Sequence, residues 1–342
     1  MQDRATSAAP DQASLAARLA ARTAVAGLFV KPPAPAQVEA ARHAGLDFVV
    51  LDGEHGAASG VELEHHLRAA DAVGLPALVR VPAPDRPEAV QHALDGGAAG
   101  VVVPHVRDAA AARAAVAAAR YPPLGARGIA TTTRAGGHGA VGVGAHLARS
   151  AAETVVVVQI EDAEAVGRAA EILAVEGVGA VLIGVADLAL SLGAPGEPAA
   201  APVVAAVDAI LAAAAAADVP VMVVASDAAD AARWRARGAT AVAFVGASLL
   251  LGAQRAVAPA AHVGQGHQLG AAELVFLPGM GCDGDLWGDV AAALGSERRA
   301  VRPGRVDLAE DVATAADALL AAVDAPRLVL AGHSFGAIVA LE

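Results

Sequence analysis

Two carboxylates in this chain stand where a divalent cation could be held. Glu161 ends the run Val155-Val-Val-Val-Gln-Ile-Glu161, and Asp187 ends Val181-Leu-Ile-Gly-Val-Ala-Asp187. Each run is aliphatic and largely β-branched before it closes in acid, the pattern of a strand buried on both faces of a parallel sheet. Residues 162–175 between them carry Ala, Val, Ile and Leu at helical spacing and are followed by Gly177 and Gly179. The stretch therefore reads as a βαβ unit, with both acids at the C-terminal ends of neighbouring parallel strands. That end of an α/β barrel carries its chemistry. Converging carboxylates there suit a hard divalent cation whose remaining positions take water and substrate oxygens. The competing reading is two solvated acids at strand ends.

A second constellation is Asp52-Gly-Glu-His55, after the apolar run that begins at Phe48. A histidine at a strand end can take a proton near neutral pH, and a carboxylate partner raises its basicity. Asp52 is one candidate partner. Asp95, from elsewhere in the fold or from a neighbouring subunit, is another. Arg80 ends a third apolar run, among Val and Pro. A guanidinium at an apolar barrel mouth needs an anion, either substrate or a fixed carboxylate such as Asp52 or Glu54.

The elements that would position these groups follow from the pattern. Strands are expected at 25–30, 48–51, 76–81, 100–103, 155–161, 181–187, 219–225 and 241–246. Helical segments lie between them at 36–44, 61–73, 87–94, 109–119 and 203–217, with a last helix at 248–257. Residues 121–144 read as a stiff loop that becomes Gly-rich. Eight apolar strands alternating with helices over about 230 residues indicate a (β/α)8 TIM barrel, and a doubly wound open sheet is the alternative. Residues 1–22 form an N-terminal arm and 23–257 the barrel. Residues 258–272, a mix of Ala, Gly, His and Gln without periodicity, read as a linker. A second α/β pattern occupies 273–342.

Composition narrows the class. The 342 residues are rich in small apolar side chains and carry a formal charge of −12. The acidity and the lack of a basic stripe argue against nucleic acid as a partner. No apolar run reaches the roughly 18 residues that suggest a membrane helix. The start is polar, without an apolar signal core, and Cys282 is the only cysteine. Both features point to the cytoplasm.

Six motifs in order make the chain familiar: Phe48-Val-Val-Leu-Asp-Gly-Glu-His-Gly56, Val79-Arg-Val-Pro82, Gly100-Val-Val-Val-Pro104, Arg120-Tyr-Pro-Pro-Leu-Gly-Ala-Arg-Gly128, Gln159-Ile-Glu161 and Ile183-Gly-Val-Ala-Asp-Leu188. Over residues 23–257 the chain resembles the HpcH/HpaI aldolases, the class II pyruvate aldolases related to the citrate lyase β-subunit. The resemblance implies a metal-dependent retro-aldol cleavage of a 4-hydroxy-2-oxo acid, a small 2-oxo acid substrate, to pyruvate and an aldehyde through a metal-bound enolate. It implies Glu161 and Asp187 as ligands of Mg²⁺, Mn²⁺ or Co²⁺, and Gln159 with the backbone around Ala186 and Asp187 as substrate contacts. It implies His55 as base, Asp95 as the aspartate that raises its basicity, and Arg80 as the group that stabilises the transition state. It also implies a homo-oligomer, trimer or hexamer. Lys31 is the only lysine, which counts against Schiff-base chemistry. Departures include Val185 where the family commonly has Pro, and His105 where Met or a similar residue is frequent.

The C-terminal piece carries Gly332-His-Ser-Phe-Gly336 after an apolar run, a nucleophile-elbow pattern centred on Ser334. It resembles the first part of an α/β-hydrolase, with Pro278-Gly-Met-Gly281 as its oxyanion loop. The acid and histidine that follow the serine in that fold have no counterpart in the eight residues after Ser334, so the triad is incomplete. A serine hydrolase with the barrel as fused partner is the second functional reading, and a barrel kept as an oligomerisation scaffold the third.

Overall fold

The computed structural model describes residues 13–257 and the strands Glu273–Leu277, Ala300–Val301 and Leu328–Gly332. Residues 1–257 and 258–342 form two units.

In the first unit, eight strands close into an all-parallel barrel in sequence order. They are β1 (Val25–Val30), β2 (Phe48–Asp52), β3 (Ala77–Arg80), β4 (Gly100–Val103), β5 (Val155–Ile160), β6 (Ala180–Ile183), β7 (Val221–Ala225) and β8 (Ala241–Val245). Closure is made by β1 on β8, with Val25 opposite Ala241 and Phe29 opposite Val245. The surrounding helices are α1 (Leu15–Ala20), α2 (Pro35–His43), α3 (Gly60–Ala72), α4 (Pro87–Asp95), α5 (Ala109–Ala119), α6 (Val143–Glu153), α7 (Ala163–Val166), α8 (Ala169–Leu173), α9 (Val185–Ser191), α10 (Ala201–Ala216), α11 (Ala228–Ala236) and α12 (Gly246–Val257). Among the described residues, no helix is long and apolar enough to cross a membrane.

Strand side chains alternate between two buried layers. Phe29, Phe48, Val50, Leu78, Val102, Val157, Leu182 and Met222 fill the barrel interior, and Leu15 and Leu19 of α1 join them. The alternate residues, such as Val49, Leu51, Val79 and Val181, pack outward against the helices. This double burial explains why the strands read as unbroken apolar runs. Gly27 is required by the interior: a Cβ there would lie 2.5 Å from the Phe48 ring.

The period of two also delivers the polar groups. On β2 the inward set runs Phe48, Val50, Asp52, on β3 Leu78, Arg80, and on β5 Val155, Val157, Gln159. Asp52, Arg80 and Gln159 are therefore the next inward positions above the apolar layers, at the C-terminal mouth.

Three expected elements differ. The run 181–187 is not one strand: β6 ends at Ile183, and Asp187 lies in the first turn of α9. Ala and Leu after Gly184 favour a helix, and its first turn welcomes the acid Asp187. The helix expected over 162–175 is two short helices, broken at Gly167-Arg168. The Gly-rich loop contains a 3₁₀ segment, Arg134–Gly139, and leads into α6, which begins at Val143 between two glycines that mask its start.

The second unit shows three parallel strands, β9 (Glu273–Leu277), β10 (Ala300–Val301) and β11 (Leu328–Gly332), with β9 in the centre. Parallel strands alone do not make a hydrolase. Ser334, the loop Pro278–Gly281 and the linker 258–272 lie outside the described residues.

The interior packing gives a direct test. Phe48 is wholly buried, so Phe48→Ala should cost about 3–5 kcal/mol, read as a lower urea midpoint at unchanged slope. A loss below about 1 kcal/mol would mean that the interior collapses around the gap.

Candidate active site

The mouth is built on one buried ion pair. Asp52 and Arg80 face each other across the β2–β3 ladder. Arg80 Nε donates to Asp52 Oδ1 at 2.9 Å and its terminal nitrogen to Oδ2 at 2.5 Å, a bidentate fork. Asp52 Oδ1 also accepts the backbone N–H groups of Glu54 and His55, each at 3.1 Å. Lys31 Nζ approaches Oδ2 at 3.9 Å. Burial alone would raise the Asp52 pKa, but the Arg80 hydrogen bonds and charge and the two N–H donors hold it below the usual carboxylate value. Burial works against the Arg80 charge too, and Asp52, Glu54 and Glu161 overcome it and keep the guanidinium protonated. Its other terminal nitrogen lies 3.0 Å from Glu54 Oε2, off the hydrogen-bond direction, so that buried oxygen has no hydrogen-bond partner. The guanidinium also packs 5.3 Å from the Phe29 ring centre.

Glu161 stands one residue beyond β5 and is 2% exposed. Its Oε2 accepts from Gln159 Nε2 and its Oε1 from the backbone N–H of His105 at 2.9 Å. Its pKa is raised, chiefly by burial, with the Glu54 charge adding to the rise against those hydrogen bonds. His105 follows β4 and Pro104. Its Nδ1 lies 3.1 Å from Asp162 Oδ2, and its Nε2 lies 3.5 Å from Glu54 Oε1. Burial lowers the His105 pKa, but Asp162, Glu161 and Glu54 outweigh it and the net shift is upward.

Glu54, His105 and Glu161 thus offer ligand atoms within 4.8 Å of one another. The donor set fits a divalent cation. Two carboxylates crowd together, one of them losing stability when it ionises, and the Gln159 Oε1 beside them is buried without a partner. A cation would relieve that repulsion.

The remaining expected site residues are placed as follows. Asp187, half-buried in the first turn of α9, makes no side-chain hydrogen bond or ion pair with the described residues. Its loop nevertheless starts against Glu161: a Cβ on Gly184 would lie 2.5 Å from Glu161 Oε2. Ala186 is exposed in the same turn. His55 has a side chain 55% exposed, and the nearest carboxylate to its ring is Glu54, at 4.0 Å. Asp52 holds the backbone of His55, not its imidazole. Asp95 ends α4, at the opposite end of its own barrel, and takes Arg127 at 2.6 Å. Within one chain, then, neither aspartate pairs with the His55 ring. Glu54, His105 and Asp162 are the groups whose place in the cluster sequence reasoning missed. A histidine and an acid just past the ends of β4 and β5 were the available signal. A 520 Å³ cavity lies elsewhere, lined by Pro76, Ala99, Arg127 and Thr154 at the strand starts.

Asp52 dictates a pH response. Its folded pKa lies below the ordinary 3.8, so its contribution to stability is complete above that value and is lost as pH falls through the folded one. Urea unfolding between pH 2 and 6 should show a steep acid limb, and Asp52→Asn should flatten it while lowering stability at pH 6. Equal acid slopes would show that the pair does not govern acid stability. Gly184→Ala should leave the fold intact and displace Glu161, read as weakened Mn²⁺ binding by calorimetry.

Residues 25–250 match the HpcH/HpaI aldolase/citrate lyase family. A pyruvate aldolase from Rhizobium etli is 40% identical over 182 residues, 53% of this chain and 70% of that protein. A 5-keto-4-deoxy-D-glucarate aldolase from Salmonella newport is 36% identical over 240 residues, 70% of this chain and 91% of that protein. The crystal structure of an HpcH/HpaI aldolase from Desulfitobacterium hafniense superposes with a TM-score of 0.67 at 32% identity, covering 71% of this chain and 95% of that one. The chain belongs to the HpcH/HpaI aldolase/citrate lyase family and is a lyase.

Proposed function

We propose that the barrel is a divalent-metal-dependent aldolase that cleaves a 4-hydroxy-2-oxo acid to pyruvate and an aldehyde. The observation that carries this reading is a guanidinium locked by Asp52 beside a buried carboxylate cluster suited to a cation. Glu161, which belongs to that cluster, and Asp187, which lies outside it in the first turn of α9, would hold the cation, and Gln159 with the backbone at Ala186 and Asp187 would contact the substrate. A divalent ion such as Mg²⁺, Mn²⁺ or Co²⁺ supplies positive charge beside the oxygens of the 2-oxo acid.

Cleavage of C3–C4 leaves its electron pair on the pyruvate fragment as an enolate. Arg80, fixed before substrate arrives, meets the charge that grows on the C2 oxygen without having to reorganise. His55, open at the rim, takes the proton of the C4 hydroxyl while that C–O bond becomes the aldehyde carbonyl. Protonation at C3 completes pyruvate. Because Asp95 sits at the far end of its own barrel, its action on His55 requires a neighbouring subunit. Leu249, Leu250 and Leu251, all exposed on α12, support assembly into a homo-oligomer. The serine hydrolase reading rests on Ser334, outside the described residues.

Pyruvate release from 4-hydroxy-2-oxo acids should stop on chelation and return with metal. Arg80→Lys keeps the charge and loses the fork, so kcat should fall on the order of a hundredfold. Glu161→Gln should mainly raise the metal concentration required. Lys31→Ala should keep turnover. Chelator-resistant activity abolished by Lys31→Ala would mean Schiff-base chemistry instead.

A further inference from the structure

We propose that Lys31 determines substrate specificity: its ammonium meets a second anionic group on the aldehyde half of the substrate, so the chain favours 4-hydroxy-2-oxo acids that release an anionic aldehyde. This deepens the aldolase reading and rests on it for the place of the C4 hydroxyl beside His55.

Lys31 follows directly on β1, at the C-terminal mouth. It is the single lysine among the 24 Lys and Arg residues of the chain. Every other basic side chain is thus a rigid guanidinium fork, and the one compact charge on a flexible stem stands at the mouth. Its side chain is 38% exposed, and Nζ stops 3.9 Å from Asp52 Oδ2, beyond hydrogen-bond range. That oxygen already takes Arg80. The arginines nearby are committed as well, Arg80 to Asp52 and Glu54, and Arg107 to Asp162 and Glu164. Among the described residues of the mouth, Lys31 is therefore the cation whose donors remain open to an incoming anion.

The backbone holds this lysine against the loop of the base. Ala57 donates its N–H to Lys31 O at 2.8 Å. A Cβ on Gly56 would lie 2.8 Å from that oxygen and 2.9 Å from Lys31 Cα, so the two segments touch through bare backbone, and Gly56 is the residue after His55. Pro32 and Pro33 stiffen the chain on the other side. The stem starts from a fixed point beside the His55 loop, and only its charged end is free to turn.

In the aldolase reading the cation and Arg80 take the C1 and C2 oxygens, and His55 takes the C4 hydroxyl. Carbons beyond C4 then leave toward the rim, where Lys31 is exposed. Asp52 and Glu54 make that region unfavourable for an anion unless a cation faces it. Lys31 supplies that cation, and direct hydrogen bonds to a carboxylate are stronger than its distant approach to Asp52. A neutral aldehyde gains nothing from it, which is what makes the residue selective.

The deciding experiment runs the full chain in the synthetic direction with pyruvate and Mn²⁺. Glyoxylate and 4-oxobutanoate are each compared with their methyl esters. Pyruvate loses a C3 proton, C3 bonds to the aldehyde carbon, and the carbonyl oxygen takes a proton as the new C4 hydroxyl, so anion and ester undergo the same step. The readout is the ratio of kcat/KM for anion over ester. The wild type should favour the anion in at least one pair. Lys31→Met should lower that ratio about tenfold, chiefly through the KM for the aldehyde, and Lys31→Arg should retain most of it. Wild-type indifference to the charge would overturn the proposal and leave the aldolase standing. So would a preference that survives Lys31→Met, equal falls for anion and ester, which mark a structural role, or equal loss in Lys31→Arg and Lys31→Met. Absence of aldol product from all four aldehydes would sink both readings.

Discussion

The mouth of this barrel depends on the Asp52–Arg80 pair. Both side chains are nearly withdrawn from water, and taking an isolated charge there would cost several kcal/mol. The pair is tolerable because the fork is bidentate and Asp52 Oδ1 also accepts two backbone N–H groups. Removing one partner from such a pair typically costs about 3–5 kcal/mol, since the other charge is left stranded. Its value is therefore orientation more than stability. The same carboxylate that fixes the guanidinium also ties the β2–α3 loop through Glu54 and His55, so the cation and the loop residues take their positions together.

Around that pair the electrostatics are deliberately unbalanced. Glu54 and Glu161 bring negative charge to a small volume, against Arg80, the more distant Lys31 and the titratable His105, while Asp162 is paired with Arg107. Glu161 is held by burial in an environment that disfavours its own ionisation. A cation reverses that preference, because a nearby positive charge favours the ionised carboxylate. A cation bound beside Glu54 and Glu161 would relieve their mutual repulsion. Gly184 leaves room for Glu161, since a Cβ there would lie 2.5 Å from its Oε2.

Much of the architecture was legible because each layer of burial leaves a mark. Unbroken β-branched runs signalled strands covered on both sides, and the change from apolar to polar residues marked the C-terminal ends of β2, β3 and β5. That placed Asp52, Arg80, Gln159 and Glu161 at one end of the barrel. The limits appear at the loops. Val185-Ala-Asp187 continues an apolar run, yet Gly184 interrupts the ladder and the following residues favour a helix, so Asp187 joins a helix turn. Gly142 and Gly144 concealed the start of α6 for the opposite reason, since glycines that punctuate a loop also flank this helix.

The sequence by itself determined that eight buried parallel strands alternate with helices and that polar groups gather where those strands end. Those properties follow from local chemistry: period, branching and the cost of burying charge act within a few residues. Only the tertiary structure decided who meets whom. Closure of the barrel set the common inward parity of Asp52, Arg80 and Gln159, and double-sided burial had erased the alternation that would have revealed it. Closure also brought His105 from β4 against Glu54 from β2 and Glu161 from β5, while α4 carried Asp95 to the other end and gave it Arg127. These pairings span up to 56 residues of chain. They are fixed by strand order and register, which no local pattern encodes.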